Sequence, residues 1–188
     1  MTPPPRPAAG RRPVIGVMGP GSAPASLLTA AGELGTLLAQ RGWIVLTGGR
    51  PEGVMAAASA GAKRVPGSIT LGVLPGASGG AGPDVDIAVF TGIGEARNAI
   101  NVLTSDVVIA CGSHGAGTVS EIALALKAEK PVILLQPEGS ARELFTRIQQ
   151  RGALLVAASP VEAVQLLEEE FGLVRRDWSS LTSTARAE

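Results

Sequence analysis

The sequence predicts an α/β three-layer sandwich built on a mostly parallel sheet, and three features point to it. Short β-branched runs alternate with stretches of helical periodicity along the chain, the pattern in which each crossover helix returns the chain to start a parallel neighbour. Runs such as Asp106-Val107-Val108-Ile109-Ala110 are apolar almost throughout rather than alternating, as strands buried on both faces require. Glycine-rich connections follow three of the runs, at 19–22, 48–50 and 112–118.

The elements follow in order. A strand at 14–18 runs through Gly19-Pro20-Gly21-Ser22 into a helix over about 26–41, whose Leu27, Ala30, Ala31, Leu34, Leu37 and Leu38 form one apolar stripe. A strand at 43–47 leads through Gly48-Gly49-Arg50 to a small-residue helix at 53–63. The strand at 69–74 precedes a loop at 75–83 that holds four glycines. That loop is longer than a plain connection needs, so we expect it to be mobile and near a site. After a strand at 87–91, Gly92-Ile93-Gly94-Glu95 opens a helix carrying Arg97, Asn98 and Asn101 among Ala99, Ile100, Val102 and Leu103. The remaining elements are a strand at 106–110, a helix at 118–128, a strand at 132–135, a helix at 140–150, a strand at 154–156 and a helix at 160–171.

With 188 residues, 45% of them hydrophobic and 17% charged, the chain is sized for one core. We expect one domain over 13–172, a disordered proline-rich tail at 1–12 and a frayed polar tail at 173–188. The formal net charge is zero, which removes the general phosphate attraction that nucleic-acid binders use, so no nucleic-acid partner is expected. The single cysteine, Cys111, cannot form an internal disulfide and reads as a small apolar residue ending a strand. The N-terminus lacks the apolar core of a signal peptide, and no apolar run reaches the ~20 residues of a membrane span. A cytoplasmic protein without a membrane partner is the expectation.

The stretch from Cys111 to Glu121, Cys-Gly-Ser-His-Gly-Ala-Gly-Thr-Val-Ser-Glu, reads as an anion-binding turn. Thr118 is expected to be the helix N-cap, with Glu121 at the third helical position of a capping box. Gly115 and Gly117 allow positive φ and close approach of backbone N–H groups, and the helix start adds free donors and a partial positive charge. A glycine pair alone would be explained by the turn. Three glycines and a threonine in one connection, with two similar turns on the same carboxyl edge of the sheet, point instead to a small phosphate-bearing ligand at which all three converge. Arg97, at the start of an otherwise apolar helix on that edge, suits phosphate or Glu121, and Arg50 has similar placement.

Other chemistries fit poorly. The dinucleotide fingerprint would need glycine where Pro24 stands, and no acid ends the second strand, so NAD is not expected. The 114–118 segment lacks the lysine of an NTPase phosphate loop. His114 is the only histidine, and with one cysteine it cannot complete a His/Cys metal site, so it reads as a loop hydrogen-bonder and no metal is expected. The helical stretches at 99–103 and 122–126 are apolar nearly all round, more than a sheet covers, which argues for a homodimer or homotetramer.

Gly19-Pro20-Gly21, Thr47-Gly48-Gly49 with Gly53-Val54-Met55, Gly94-Glu95-Ala96-Arg97-Asn98 and the Gly115-to-Lys127 segment together resemble the LOG/DprA-like Rossmann superfamily, nearest its molybdenum cofactor carrier branch. The resemblance spans about 13–171. It implies a Rossmann-like fold, an oligomer, and a site that holds the phosphate of molybdopterin. The cofactor-binding residues would be Gly19, Gly21, Ser22, Gly48, Gly49, Arg50, Arg97, Asn98, Ser113, His114, Gly115, Ala116, Gly117, Thr118 and Glu121. A second branch hydrolyses cytokinin riboside monophosphates, with an Arg and a Glu in the chemistry. On that alternative, a nucleoside 5′-monophosphate phosphoribohydrolase, Arg97 and Glu121 would be catalytic, the carboxylate steadying an oxocarbenium-like sugar. The chain departs from the hydrolase signature at Ser113 and His114, where Pro and Gly belong, and at Asn98, where Lys follows the arginine. A lysine decarboxylase label attached to such sequences would need pyridoxal phosphate on a lysine, and no lysine lies in the turns.

Overall fold

The computed structural model describes residues 11–137, 139–149 and 151–173. Residues 1–10 and 174–188, most of the two expected tails, lie outside that range. Of what remains of them, Arg11 pairs with Asp106 and Leu173 is buried.

Seven strands form one sheet in the order β4-β3-β2-β1-β5-β6-β7, every neighbouring pair parallel. They are β1 (Val14–Met18), β2 (Ile44–Thr47), β3 (Thr70–Leu74), β4 (Ile87–Phe90), β5 (Val107–Cys111), β6 (Val132–Leu135) and β7 (Leu154–Ala157). The crossovers are α1 (Ala25–Gln40), α2 (Gly53–Lys63), a 3₁₀ turn (Gly94–Arg97) running into α3 (Asn98–Thr104), α4 (Ala116–Lys127), α5 (Ala141–Ile148) and α6 (Pro160–Glu169). The expected α/β sandwich is therefore present, and its sheet is wholly parallel.

Side-chain alternation divides the core between the two faces. Ile15, Val17, Val45, Ile109 and Ile133 meet α1, α2 and α6 on one face. Met18, Leu46, Val108, Ala110 and Leu134 meet α3, α4 and α5 on the other. The glycines inside α1 and α2 have a packing reason. A Cβ on Gly35 would lie 2.0 Å from the Ala58 carbonyl oxygen, and one on Gly61 would lie 1.9 Å from that of Gly32. The two helices touch backbone to backbone, and Thr36 Oγ1 donates across the contact to the Gly61 carbonyl at 2.8 Å.

The chain order reverses between β1 and β5, where Met18 pairs with Ala110. A crevice opens at such a switch point beyond the carboxyl ends of the strands, because the two crossovers leave in opposite directions.

Candidate functional site

Two elements differ locally from the sequence expectation. Helix α4 begins at Ala116, not after Thr118; its N-cap is Gly115, at φ 87°, and no side chain caps it. Thr118 is thus the third helical residue, and Glu121 lies a full turn deeper than a capping box allows. The left-handed backbone that only glycine adopts cheaply lets the helix start three residues early. Val119 N–H already bonds the Gly115 carbonyl at 3.0 Å, leaving the N–H groups of Ala116, Gly117 and Thr118 without intrahelical partners. The second difference precedes α3, where Gly94 to Arg97 form a 3₁₀ turn and place Arg97 at its end.

These ends enclose a cleft of about 200 Å³ at the switch point. Gly19 and Gly21 from the β1–α1 turn, Gly48 and Arg50 after β2, Arg97 and Asn98 at α3, and Gly115, Gly117, Thr118 and Glu121 at α4 all line it. All three glycine turns do meet there. Val17, Met18, Pro20, Glu52, Met55 and Glu95 complete the walls and were not singled out in the sequence. Glu95, Pro20 and Met55 had a signal, since they sit in the Gly-Glu-Ala-Arg-Asn, Gly-Pro-Gly and Gly-Val-Met strings; the others had none beyond proximity to a turn.

The other anticipated residues stand outside the walls. Ser22 and Ala116 are exposed, and Ser113 and His114 are half-buried in the β5–α4 loop. Gly49 is buried at φ 73°, and a Cβ there would lie 2.9 Å from the Gly72 Cα, so its glycine serves the packing of β2 on β3.

The floor carries the charge. Arg97 is 5% exposed and Glu121 6%. Arg97 Nη1 lies 3.8 Å from Glu121 Oε1 and Nη2 lies 3.8 Å from Glu95 Oε2. Neither separation is a hydrogen bond, and Nε and Nη1 have no hydrogen-bond partner among the described residues. Glu121 Oε1 is taken instead by Asn101, whose Nδ2 donates to it at 2.7 Å. Asn98 Nδ2 donates to Ser120 Oγ at 2.9 Å, while its Oδ1 is unpaired. Arg50 pairs with Glu95 at 2.9 Å on the rim. Burial pushes the Glu121 carboxyl above the usual range, the Asn101 hydrogen bond and Arg97 pulling it part of the way back. Burial likewise lowers Arg97, with Glu121 and Glu95 opposing, but a guanidinium remains protonated. Cys111 is fully buried and its thiol is pushed up to about 12, which makes it a core residue.

Buried donors without partners are costly, and here they line an open cleft opposite the free N–H groups of a helix start. A phosphate or sulfate satisfies both sets. The unpaired Asn98 Oδ1 suits a donor on the same ligand.

A sequence model of the SLOG cluster4 family matches residues 12–164. The chain belongs to the SLOG cluster4 family. Among solved structures, this SLOG protein is similar to the molybdenum cofactor binding protein of Rippkaea orientalis, at 48% identity over 85% of this chain and 98% of that one, with a TM-score of 0.80. The Moco carrier protein of Chlamydomonas reinhardtii is 46% identical, over 86% and 99% of the two chains, with a TM-score of 0.80. An uncharacterised protein of Archaeoglobus fulgidus is 40% identical over 123 residues, which is 65% of this chain and 80% of that protein. The DNA processing protein A of Helicobacter pylori, at 20% identity and a TM-score of 0.64, shares the fold. The resemblance to the LOG/DprA-like superfamily near its carrier branch is thus borne out. Among the described residues, no helix is long and apolar enough to cross a membrane.

Proposed function

We propose that this SLOG protein carries the molybdenum cofactor in the cytoplasm, with the cofactor phosphate seated between the start of α4 and Arg97. The observation that carries the reading is the buried guanidinium, whose Nε and Nη1 lack protein partners beside the N–H groups released by Gly115. The molybdenum cofactor binding protein and the Moco carrier protein at 46–48% identity support it. In this role Arg97 and the backbone of Gly115, Ala116, Gly117 and Thr118 bind the anion, while Arg50 holds Glu95 at the rim.

Self-association belongs to the same reading. Leu103 on α3 is 62% exposed and Ile93, ahead of the 3₁₀ turn, 52%, while Ile100, Val119 and Leu124 on α3 and α4 are half-buried. A second copy over this face gives a homodimer or homotetramer and shields the apolar surface.

The phosphoribohydrolase alternative has one observation in its favour: Arg97 and Glu121 line the same cleft. One experiment separates the two. Wild-type protein is titrated with molybdenum cofactor and, separately, incubated with AMP and other nucleoside monophosphates while free base is measured. Saturable cofactor binding that Arg97→Ala weakens at least tenfold, without base release, supports the carrier. Robust base release abolished by Glu121→Gln overturns it.

A further inference from the structure

The 75–83 loop leads to a second cavity, and that cavity is built rather than incidental. It measures about 400 Å³ and lies on the other side of the first turns of α2, with Gly53, Ala56, Ala57 and Ala60 on one wall and the 82–85 segment on the other. Its walls are largely apolar and small. The 82–85 segment is anchored: Gly82 N–H donates to the Gly49 carbonyl at 2.8 Å, and Thr70 Oγ1 donates to the Asp84 carbonyl at 2.6 Å. Arg50 lines both this cavity and the phosphate cleft, so the two spaces adjoin.

The phosphate cleft alone is too small for a phosphorylated heterocycle, since sites for ligands of that size run to roughly 300–1,000 Å³. Its walls also carry Arg50 and Arg97 against Glu52, Glu95 and Glu121, a setting for charge rather than for a ring. The neighbouring cavity has the opposite character, and its one acidic wall residue, Asp84, has a carboxylate with no hydrogen bond or ion pair among the described residues. A carboxylate accepts two parallel N–H donors. A planar 2-amino-4-oxopyrimidine edge presents that pair, the exocyclic amino group beside a ring N–H.

We propose that the cavity between α2 and the 82–85 segment is the subsite for the amino-pyrimidinone ring of the ligand, read by Asp84, with Arg50 at the junction to the phosphate cleft. The proposal rests on the carrier reading for the identity of the ligand, and it assigns the flat end of that ligand a place of its own. The ring packs against the alanine wall of α2, and Asp84 selects the amino-pyrimidinone edge over its dioxo counterpart, because an oxo group in place of the amino group turns a donor toward the carboxylate into an acceptor.

The test uses the full chain and a pterin without phosphate, followed by its fluorescence. Wild type is expected to bind pterin saturably and to bind lumazine, the 2,4-dioxo ring, at least tenfold more weakly. Asp84→Asn should lower pterin affinity at least tenfold, shrink the preference over lumazine, and leave sulfate affinity within about twofold. Ala60→Leu, on the partly exposed side of α2, should block pterin by filling the cavity, with circular dichroism confirming the fold. Arg97→Ala should lower sulfate affinity and spare pterin. No pterin binding by wild type, or pterin binding indifferent to both Asp84→Asn and Ala60→Leu, overturns the subsite. Pterin binding that responds to Asp84, together with no sulfate binding, upholds the subsite and overturns the phosphate cleft.

Discussion

Arg97 Nη1 stands 3.8 Å from Glu121 Oε1, close enough for ion pairing and too far for a hydrogen bond. Asn101, donating to the same oxygen at 2.7 Å, holds the carboxylate in place, and the guanidinium is left with donors to spare. The two charges lower the cost of burying each other without exhausting Arg97, which is what a recyclable anion site needs.

The pH dependence of anion binding follows from that arrangement. Burial raises the Glu121 carboxyl, so the negative charge that opposes an incoming anion disappears as pH falls through that raised value. Sulfate is the suitable probe, because its own charge is constant there. Its affinity should rise as pH is lowered from neutrality into the acid range. Glu121→Gln should bind more tightly near neutrality and flatten the profile, since the amide still accepts from Asn101. Glu95 also faces Arg97, so a Glu95→Gln profile isolates the Glu121 part. A pH profile in Glu121→Gln as steep as in wild type would count against this account.

Arg97→Ala should cost stability as well as binding. It leaves the Glu121 charge buried with Asn101 alone, a loss of about 1–3 kcal/mol. Adding Glu121→Gln removes that charge, so the double variant should be more stable than Arg97→Ala by urea denaturation. Additive losses would mean that the two groups do not interact.

Gly48→Ala probes how the guanidinium is seated. The new Cβ would fall 2.5 Å from Arg97 Nη1 and 2.7 Å from Met55 Sδ, so the side chains must give way. We expect weaker sulfate binding, by about tenfold, and a loss of about 1–3 kcal/mol from overpacking. In an Arg97→Ala background the effect on binding should vanish while the clash with Met55 persists. Calorimetric titration of the four proteins checks it.

Cys111 should be inert in the folded protein. It is wholly buried with its thiol pushed up to about 12, and thiolate is the reactive form. A thiol reagent should label it only at the rate of unfolding, so added denaturant should accelerate labelling and saturating sulfate should slow it. Rapid labelling of native protein would contradict the burial.

Much of the site was visible in the chain because glycine spacing is a local property. The turns after β1, β2 and β5 announced themselves, and parallel topology obliged them to share one edge. Arg97 stood out for the same reason, as a charge at the start of an apolar helix. Glu52 did not, because it reaches the cleft only through the docking of α2 against the β1–α1 turn, where Gly53 packs within 2.3–2.6 Å of Pro20 and Gly21, measured to the position of a Cβ. The resemblance also implied Ser113 and His114, which are half-buried in the β5–α4 loop and not among the residues lining the cleft.

The sequence by itself determined the strand–helix alternation, the parallel sheet and the carboxyl edge on which the glycine turns meet, because periodicity and burial are written residue by residue. The start of α4 escaped it: Thr118 and Glu121 match a capping box, and only the φ of 87° at Gly115 starts the helix three residues earlier. Tertiary structure alone decided that Asn101 would take the Glu121 oxygen and leave Arg97 Nε and Nη1 without hydrogen-bond partners among the described residues. Those residues lie 20 positions apart and meet through the packing of α3 on α4, and a contact between two helices depends on their relative placement, which no local pattern encodes.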